Sequence, residues 1–210
     1  MALLFFLLAA GSGGKAKPKP KPDEDEDEDL DPGVDEDFET PDVDDFPPQP
    51  GDSPLWMLPA NDYKPREDFG ERRPFKGGPP KTHHAGADLD STVLAPVLMP
   101  EPGTVIRTGG WAGPLAKAIT VELDRGPVLI FGAMDPEHLP AKGAKLLRGE
   151  LVGRTGVYPK GQSMLHFELW APGSFAKKPR PKSPWKWETP KPANLLDPTA
   201  YLQTMETNDG

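Results

Sequence analysis

The stretch Ala118-Ile119-Thr120-Val121-Glu122-Leu123, followed by Asp124-Arg125-Gly126 and then Val128-Leu129-Ile130-Phe131, decides the fold class. Apolar and polar side chains alternate through the first segment, which is the period of a β-strand with one buried face. The next three residues are typical of a turn, and a second β-prone run follows at once. The stretch therefore predicts an antiparallel β-hairpin.

Shorter β-prone pieces lie on both sides of this hairpin. They are residues 93–97, 103–106, 146–152 and 165–170. Prolines and glycines between them favour turns. No window of helical length shows a sustained 3.6-residue apolar stripe. We therefore expect an all-β fold, an antiparallel sheet or sandwich with glycine-rich turns.

Charge is distributed very unevenly along the chain. The 210 residues carry a net charge of -9, yet residues 23–45 alone hold fifteen Asp and Glu and no Lys or Arg. Residues 51–210 hold 20 basic and 18 acidic side chains, a net charge of +2. The acidity therefore belongs to a tail, and no concentrated basic face predicts binding to duplex nucleic acid.

The N-terminal part differs in composition from the rest. Residues 1–14 contain an apolar run that is too short to cross a bilayer and resembles either a secretory signal or a hydrophobic anchor. Residues 15–50 combine Lys-Pro repeats with the acidic run, so we expect a disordered linker. Residues 51–80 are expected to be an irregular extension. The chain has no cysteine, which excludes disulfides, thiolate ligands and a lipid-modified cysteine.

Two short motifs contain residues that could bind a metal. His84 and Asp88 are separated by Ala-Gly-Ala, and His166 lies in Leu165-His166-Phe167-Glu168. Residues two apart on a strand share a face, so His84 and Asp88 can converge, while His166 points away from an apolar core face. Two imidazoles and a carboxylate are a known ligand set for zinc. Taken in isolation, the first motif is more commonly explained by a surface histidine and a turn-forming aspartate.

Further motifs follow in a fixed order. They are Ala95-Pro96, Gly103-Thr104-Val105, the Gly-spaced stretch 143–153, Thr155-Gly156, Asp197-Pro198 and Tyr201-Leu202. Together with the two histidine motifs they make residues 82–202 similar to the lysostaphin and LytM type of peptidoglycan metalloendopeptidase. The resemblance implies that residues 81–204 form a LytM-type β-domain in which His84, Asp88 and His166 bind zinc.

The sequence departs from the family at the two positions whose side chains donate and accept protons during catalysis. Such enzymes use two non-ligand histidines, and the corresponding positions here hold Met164 and Ala133. A thioether takes no proton near neutral pH. Glu137 and His138 are the only nearby stand-ins for catalysis. Since acid-base assistance contributes about 10²- to 10⁴-fold, whether the chain is an enzyme stays open.

The insert, residues 171–192, interleaves basic residues with Trp185 and Trp187. Such a mixture could contact an anionic glycan, the acidic linker or single-stranded nucleic acid. A Pro-rich excursion whose tryptophans fold back onto the sheet is the alternative that we favour.

These observations lead to two functional hypotheses. The first is a secreted or cell-envelope, zinc-binding LytM-like domain that cuts or recognises peptidoglycan cross-link peptides. The second is a non-catalytic component of a virion or cell-envelope assembly that uses the peptidase fold for binding. A protein partner could bind through the acidic linker or the N-terminal apolar segment. We expect no transmembrane span.

Overall fold

A computed structural model describes residues 53–59, 65–67, 69–74, 80–111, 113–137, 139–157, 163–181 and 184–205. The expected apolar segment 1–14 and linker 15–50 lie outside these residues. In chain order the elements are β1 Pro65–Glu67, β2 Arg72–Pro74, β3 Pro80–His83, β4 Ala87–Asp90, β5 Pro96–Leu98, β6 Gly103–Trp111, β7 Gly113–Leu123, β8 Val128–Met134, β9 Lys145–Leu146, β10 Leu151–Arg154, β11 Met164–Trp170, β12 Leu195–Leu196 and α1 Pro198–Gln203.

Within the described residues, the main sheet contains eight strands in the order β1-β4-β11-β8-β7-β6-β9, with β12 also paired to β11. All of these pairs are antiparallel. Two further pairs, β5 with β10 and β2 with β3, form small antiparallel sheets. The prediction of an antiparallel all-β fold is thus confirmed.

The hairpin predicted over 118–131 is present as β7 and β8. Ile119 pairs with Phe131 and Val121 pairs with Leu129. The turn closes through a 2.8 Å hydrogen bond from Gly126 N to Leu123 O, and Gly126 has a φ of 114°, a conformation that favours glycine. Strand β8 is buried at every position, which places it at the centre of the domain.

The two faces of the central strands are both covered. Leu165, Phe167 and Leu169 of β11 belong to the main apolar core, together with Phe131 of β8. Trp170 belongs to a second cluster on the opposite face. The parity expected for β11 is therefore observed, and His166 lies on the face that carries the second cluster.

Two of the shorter strand predictions were wrong in detail. Residues 146–152 do not form one strand, because Gly149 has a φ of 82° and turns the chain between β9 and β10. The strand expected over 93–97 begins only at Pro96, because Leu94 has a φ of 59° in the preceding turn. Glycine indicates a turn at Gly149, but the β-prone run does not show that this turn ends a strand, and local composition gives no signal for the turn at Leu94.

Part of the segment 51–80 packs against the domain, although residues 53–59 contain no regular helix or strand. Trp56, Met57 and Leu58 are buried in the main core. Strand β1 pairs with β4, and β2 pairs with β3. The described part of the chain includes no helix long and apolar enough to cross a membrane.

Candidate metal centre

The strand register brings the two histidine motifs together. Asp88 on β4 is the direct antiparallel partner of His166 on β11. His84 directly follows β3 and precedes β4 by three residues, with a bend at Gly86 between the two strands. Paired residues of an antiparallel sheet project their side chains to the same side, so Asp88 and His166 meet there.

Gly86 is required for this approach. A Cβ atom at this position would lie 2.2 Å from the Phe167 carbonyl oxygen and 3.0 Å from His166 Nε2. Any side chain would therefore collide with backbone that is held in the sheet on both sides. The glycine of the His-x-Gly-x-Asp motif allows the two motifs to touch.

Three potential ligand atoms converge at this point. Asp88 Oδ1 lies 2.7 Å from His166 Nδ1 and 3.3 Å from His84 Nε2, and the two imidazole nitrogens are 3.1 Å apart. All three atoms lie within 4.8 Å of one another. The side chains are 1–3% exposed. His84, Asp88 and His166 thus form the candidate metal site that the sequence predicted.

The donor set fits zinc. Two imidazole nitrogens and one carboxylate oxygen match the three protein ligands of sites that keep a fourth position for another group. In such sites the second nitrogen of a ligating histidine is usually held by a carboxylate or carbonyl. His166 meets this condition, since its Nε2 is 2.9 Å from Glu168 Oε1.

Glu168 is held by four contacts although it is completely buried. Trp170 Nε1 donates to its Oε2 at 2.8 Å, and the Arg180 guanidinium donates to both oxygens. Burial raises the pKa of Glu168, but the hydrogen bond from His166 and the charge of Arg180 outweigh it and hold the pKa at about 2. The carboxylate is therefore charged at neutral pH.

His166 is also shifted in this environment. Burial lowers its pKa, but hydrogen bonds with Asp88 and Glu168 and their negative charges outweigh burial and leave the pKa raised. A metal would compete with a proton for Nδ1, because ligation requires the neutral ring.

Trp111 covers the site from the end of strand β6. Its ring lies 4.8 Å from the His166 ring, centroid to centroid. It packs on Gly132, where a Cβ would lie 2.7 Å from the indole. The Arg180 guanidinium lies 4.9 Å above the same indole. The insert and the β6–β7 hairpin therefore meet over the candidate site.

The two positions expected to lack proton-handling side chains can both be located. Met164 is half-buried at the start of β11, two residues before His166. Ala133 is fully buried and has a φ of 64°. Glu137 is exposed, and its N–H donates to Asp135 Oδ1 at 2.8 Å. The other predicted stand-in, His138, lies outside the described residues.

The tryptophans of the insert fold back onto the domain. His83 lies between Trp185 and Trp187, with ring centroids 4.4 and 4.7 Å away. Backbone hydrogen bonds join the insert to β3 at the same place: His83 N donates to Trp185 O, and Trp187 N donates to Lys81 O. His83, the residue before His84, is thus a packing residue between the sheet and the insert.

Three residues of the site were not predicted from the sequence: Trp111, Glu168 and Arg180. Glu168 stands two residues after His166, so strand parity could have placed it on the same face. No comparable signal existed for the other two, because they reach the site through tertiary packing from distant segments.

The fold is similar to several solved structures of peptidases. They are the antimicrobial peptidase lysostaphin from Staphylococcus simulans (18% identity, 70% of this chain and 54% of that chain, TM-score 0.49), a zinc-containing peptidase from Vibrio cholerae (19%, 61% and 41%, 0.46) and a variant catalytic domain of the prophage-encoded M23 protein EnpA from Enterococcus faecalis (18%, 71% and 96%, 0.47). Lysostaphin is of the type that the sequence motifs resemble.

The chain spans about half the length of the lysostaphin chain and less than half of the Vibrio cholerae chain. No protein-family model and no curated protein matches the sequence.

Proposed function

We propose that residues 81–204 form a zinc-binding domain that recognises cell-wall cross-link peptides in the cell envelope and hydrolyses them weakly at most. The observation that carries this proposal is a complete ligand set beside empty proton-handling positions. His84, Asp88 and His166 converge, whereas Met164 and Ala133 occupy the places of the two histidines that the motif resemblance implies.

The chemistry of the ligand set supports metal binding more directly than turnover. When bound, zinc supplies a Lewis acid that polarises a carbonyl. Efficient peptide hydrolysis also needs groups that move protons, and these contribute about 10²- to 10⁴-fold. Of the side chains described around the site, Glu168 is already engaged by His166, Trp170 and Arg180. It is therefore a holding group for His166 rather than a base.

The proposal is tested with purified full-length protein and purified peptidoglycan. We expect the wild type to bind one zinc ion and to co-sediment with peptidoglycan, while release of new amino termini stays near the level of His84→Ala. Rapid release by the wild type that His84→Ala abolishes would show an active peptidase instead.

The same experiment distinguishes peptide recognition from the hypothesis of a non-catalytic assembly component. Zinc binding without co-sedimentation would contradict peptide recognition and favour a structural component of a virion or envelope complex.

Glu137 and His138 are tested in parallel as stand-ins for the missing catalytic histidines. If amino termini are released and Glu137→Gln or His138→Gln reduces the rate, that residue takes part in catalysis.

A further inference from the structure

Arg180 is the residue of the insert that reaches the metal centre. Its Nε donates to Glu168 Oε2 at 2.8 Å, and its Nη2 donates to Glu168 Oε1. The Arg180 side chain is 15% exposed and the Glu168 side chain is 0% exposed. This is a two-point contact between a guanidinium and a carboxylate, with a geometry that a lysine cannot reproduce.

The contact continues to His166. Glu168 Oε1 accepts from His166 Nε2 at 2.9 Å, so this ring nitrogen carries a proton. In the neutral ring the other nitrogen, Nδ1, then has a lone pair, and it is the atom that faces Asp88 at 2.7 Å. The chain of contacts from Arg180 through Glu168 therefore sets which nitrogen of His166 can bind a metal.

Two further contacts restrict the positions of Arg180, Glu168 and His166. Trp170 Nε1 donates to Glu168 Oε2 at 2.8 Å, which fixes the second oxygen. The Trp111 ring packs against both the Arg180 guanidinium and the His166 ring, 4.9 and 4.8 Å from them. Exclusion of water by this ring strengthens the charged hydrogen bonds beneath it.

We propose that Arg180 is a positioning residue of the metal centre, which holds Glu168 against His166 Nε2 and thereby raises the zinc affinity of the site. This inference rests on the proposed zinc site but not on hydrolysis. It assigns the insert, residues 171–192, a role in metal binding, because Arg180 enters the site only when the insert is folded onto the sheet.

The first test measures zinc affinity by competition with a chromophoric chelator. We expect Arg180→Gln to weaken zinc binding up to about 10- to 100-fold, the loss that is usual when the outer partner of a metal ligand, here Glu168, is displaced. Arg180→Lys, which keeps the charge but not the two-point contact, should fall between that variant and the wild type. Lys178→Gln, which removes an exposed charge of the same insert, should match the wild type.

A double-mutant cycle distinguishes positioning from folding. If Arg180 acts through Glu168, Arg180→Gln should change zinc affinity less than about twofold in a Glu168→Gln background. A loss of the same size in both backgrounds would overturn the inference, because Arg180 would then only support the insert. Cobalt absorption spectra should keep the same band positions in every variant, since the three ligands are unchanged.

Failure of the role proposed for Arg180 can be distinguished from failure of the proposed zinc site. If the wild type binds no zinc, the proposed metal site fails and the role of Arg180 falls with it. If the wild type binds zinc, and both Arg180→Lys and Arg180→Gln bind it with the affinity of the wild type, the inference alone is overturned. Circular dichroism of the metal-free variants reports whether each is folded, and Arg180→Lys serves as the test if Arg180→Gln is not.

Discussion

Gly86 is the residue on which contact between the two ligand motifs depends. A Cβ there would lie 2.2 Å from the Phe167 carbonyl oxygen, and strand β11 is paired on both sides at that point. We therefore expect Gly86→Ala to destabilise the domain by about 1–3 kcal/mol or more, as forced overpacking does. Urea unfolding of the metal-free protein measures this.

Gly109→Ala is the matched control for this substitution. No heavy atom lies within 4 Å of a Cβ at Gly109, and this glycine also lies in a strand. Its free energy of unfolding should stay within about 1 kcal/mol of the wild type. Equal stability of the two alanine variants would contradict the proposed close contact at Gly86.

Met164 is the position at which hydrolysis can be restored most simply. It lies two residues before His166 on β11, so a side chain there projects from the same face, about 7 Å along the strand. Met164→His should raise the release of amino termini from peptidoglycan at least about tenfold, because one acid-base group contributes about 10²-fold or more. Met164→Leu should remain at the wild-type rate. Equal rates for both variants would show that the missing base is not what limits hydrolysis.

At the scale of elements, strand β3, which directly precedes His84, also holds the insert through Thr82 and His83. Trp185 covers one face of His83, and its carbonyl accepts from His83 N at 3.0 Å. Trp185→Ala should therefore loosen the insert. Amide exchange at His83 and Trp187 should accelerate about tenfold or more, which corresponds to about 1.4 kcal/mol, while Leu129 in the sheet centre keeps its rate.

Lys177→Ala provides the comparison for this prediction, because Lys177 is an exposed residue of the same insert. Its exchange rates should equal those of the wild type. Uniform acceleration across the whole sheet in Trp185→Ala would contradict a local role for the tryptophan and point to global destabilisation.

Strand period explains how much of these elements the sequence could predict. The alternation in 118–123 and the turn before Val128 specify the β7–β8 hairpin locally, and parity placed His166 opposite the core. Glycine indicated a turn at Gly149, but the apolar pattern did not show that this turn divides residues 146–152 into two strands. Trp111 and Arg180 were missed for a different reason. Trp111 reaches His166 and Arg180 reaches Glu168 across more than ten residues of chain, and only the folded sheet defines that proximity.

At the scale of the whole molecule, a buried polar group ties the C-terminal helix to the sheet. Tyr201 on α1 stacks on Phe167, and its hydroxyl donates to Glu101 Oε1 at 2.5 Å. Arg125 binds the same carboxylate at 2.6 Å. Burial and the charge of Glu101 raise the pKa of Tyr201 well above its usual value. The neutral phenol is therefore strongly preferred in the folded state.

This shift predicts a loss of stability in alkali. An unfolded tyrosine loses its proton near pH 10, whereas the folded Tyr201 keeps it, so the contribution is fully present below about pH 10 and declines above it. The free energy of unfolding should fall by up to about 1.4 kcal/mol per pH unit more steeply in the wild type than in Tyr201→Phe. Urea unfolding between pH 9 and about pH 11 measures the difference. Parallel pH profiles would contradict the raised pKa.

The most direct test of the metal centre is an anomalous difference map of crystals of the full-length protein loaded with zinc. We expect one strong peak about 2.0–2.2 Å from His84 Nε2, Asp88 Oδ1 and His166 Nδ1, the usual distances for nitrogen and oxygen ligands. A zinc peak elsewhere, such as at His83, or no peak at these three atoms, would contradict the assignment of this site.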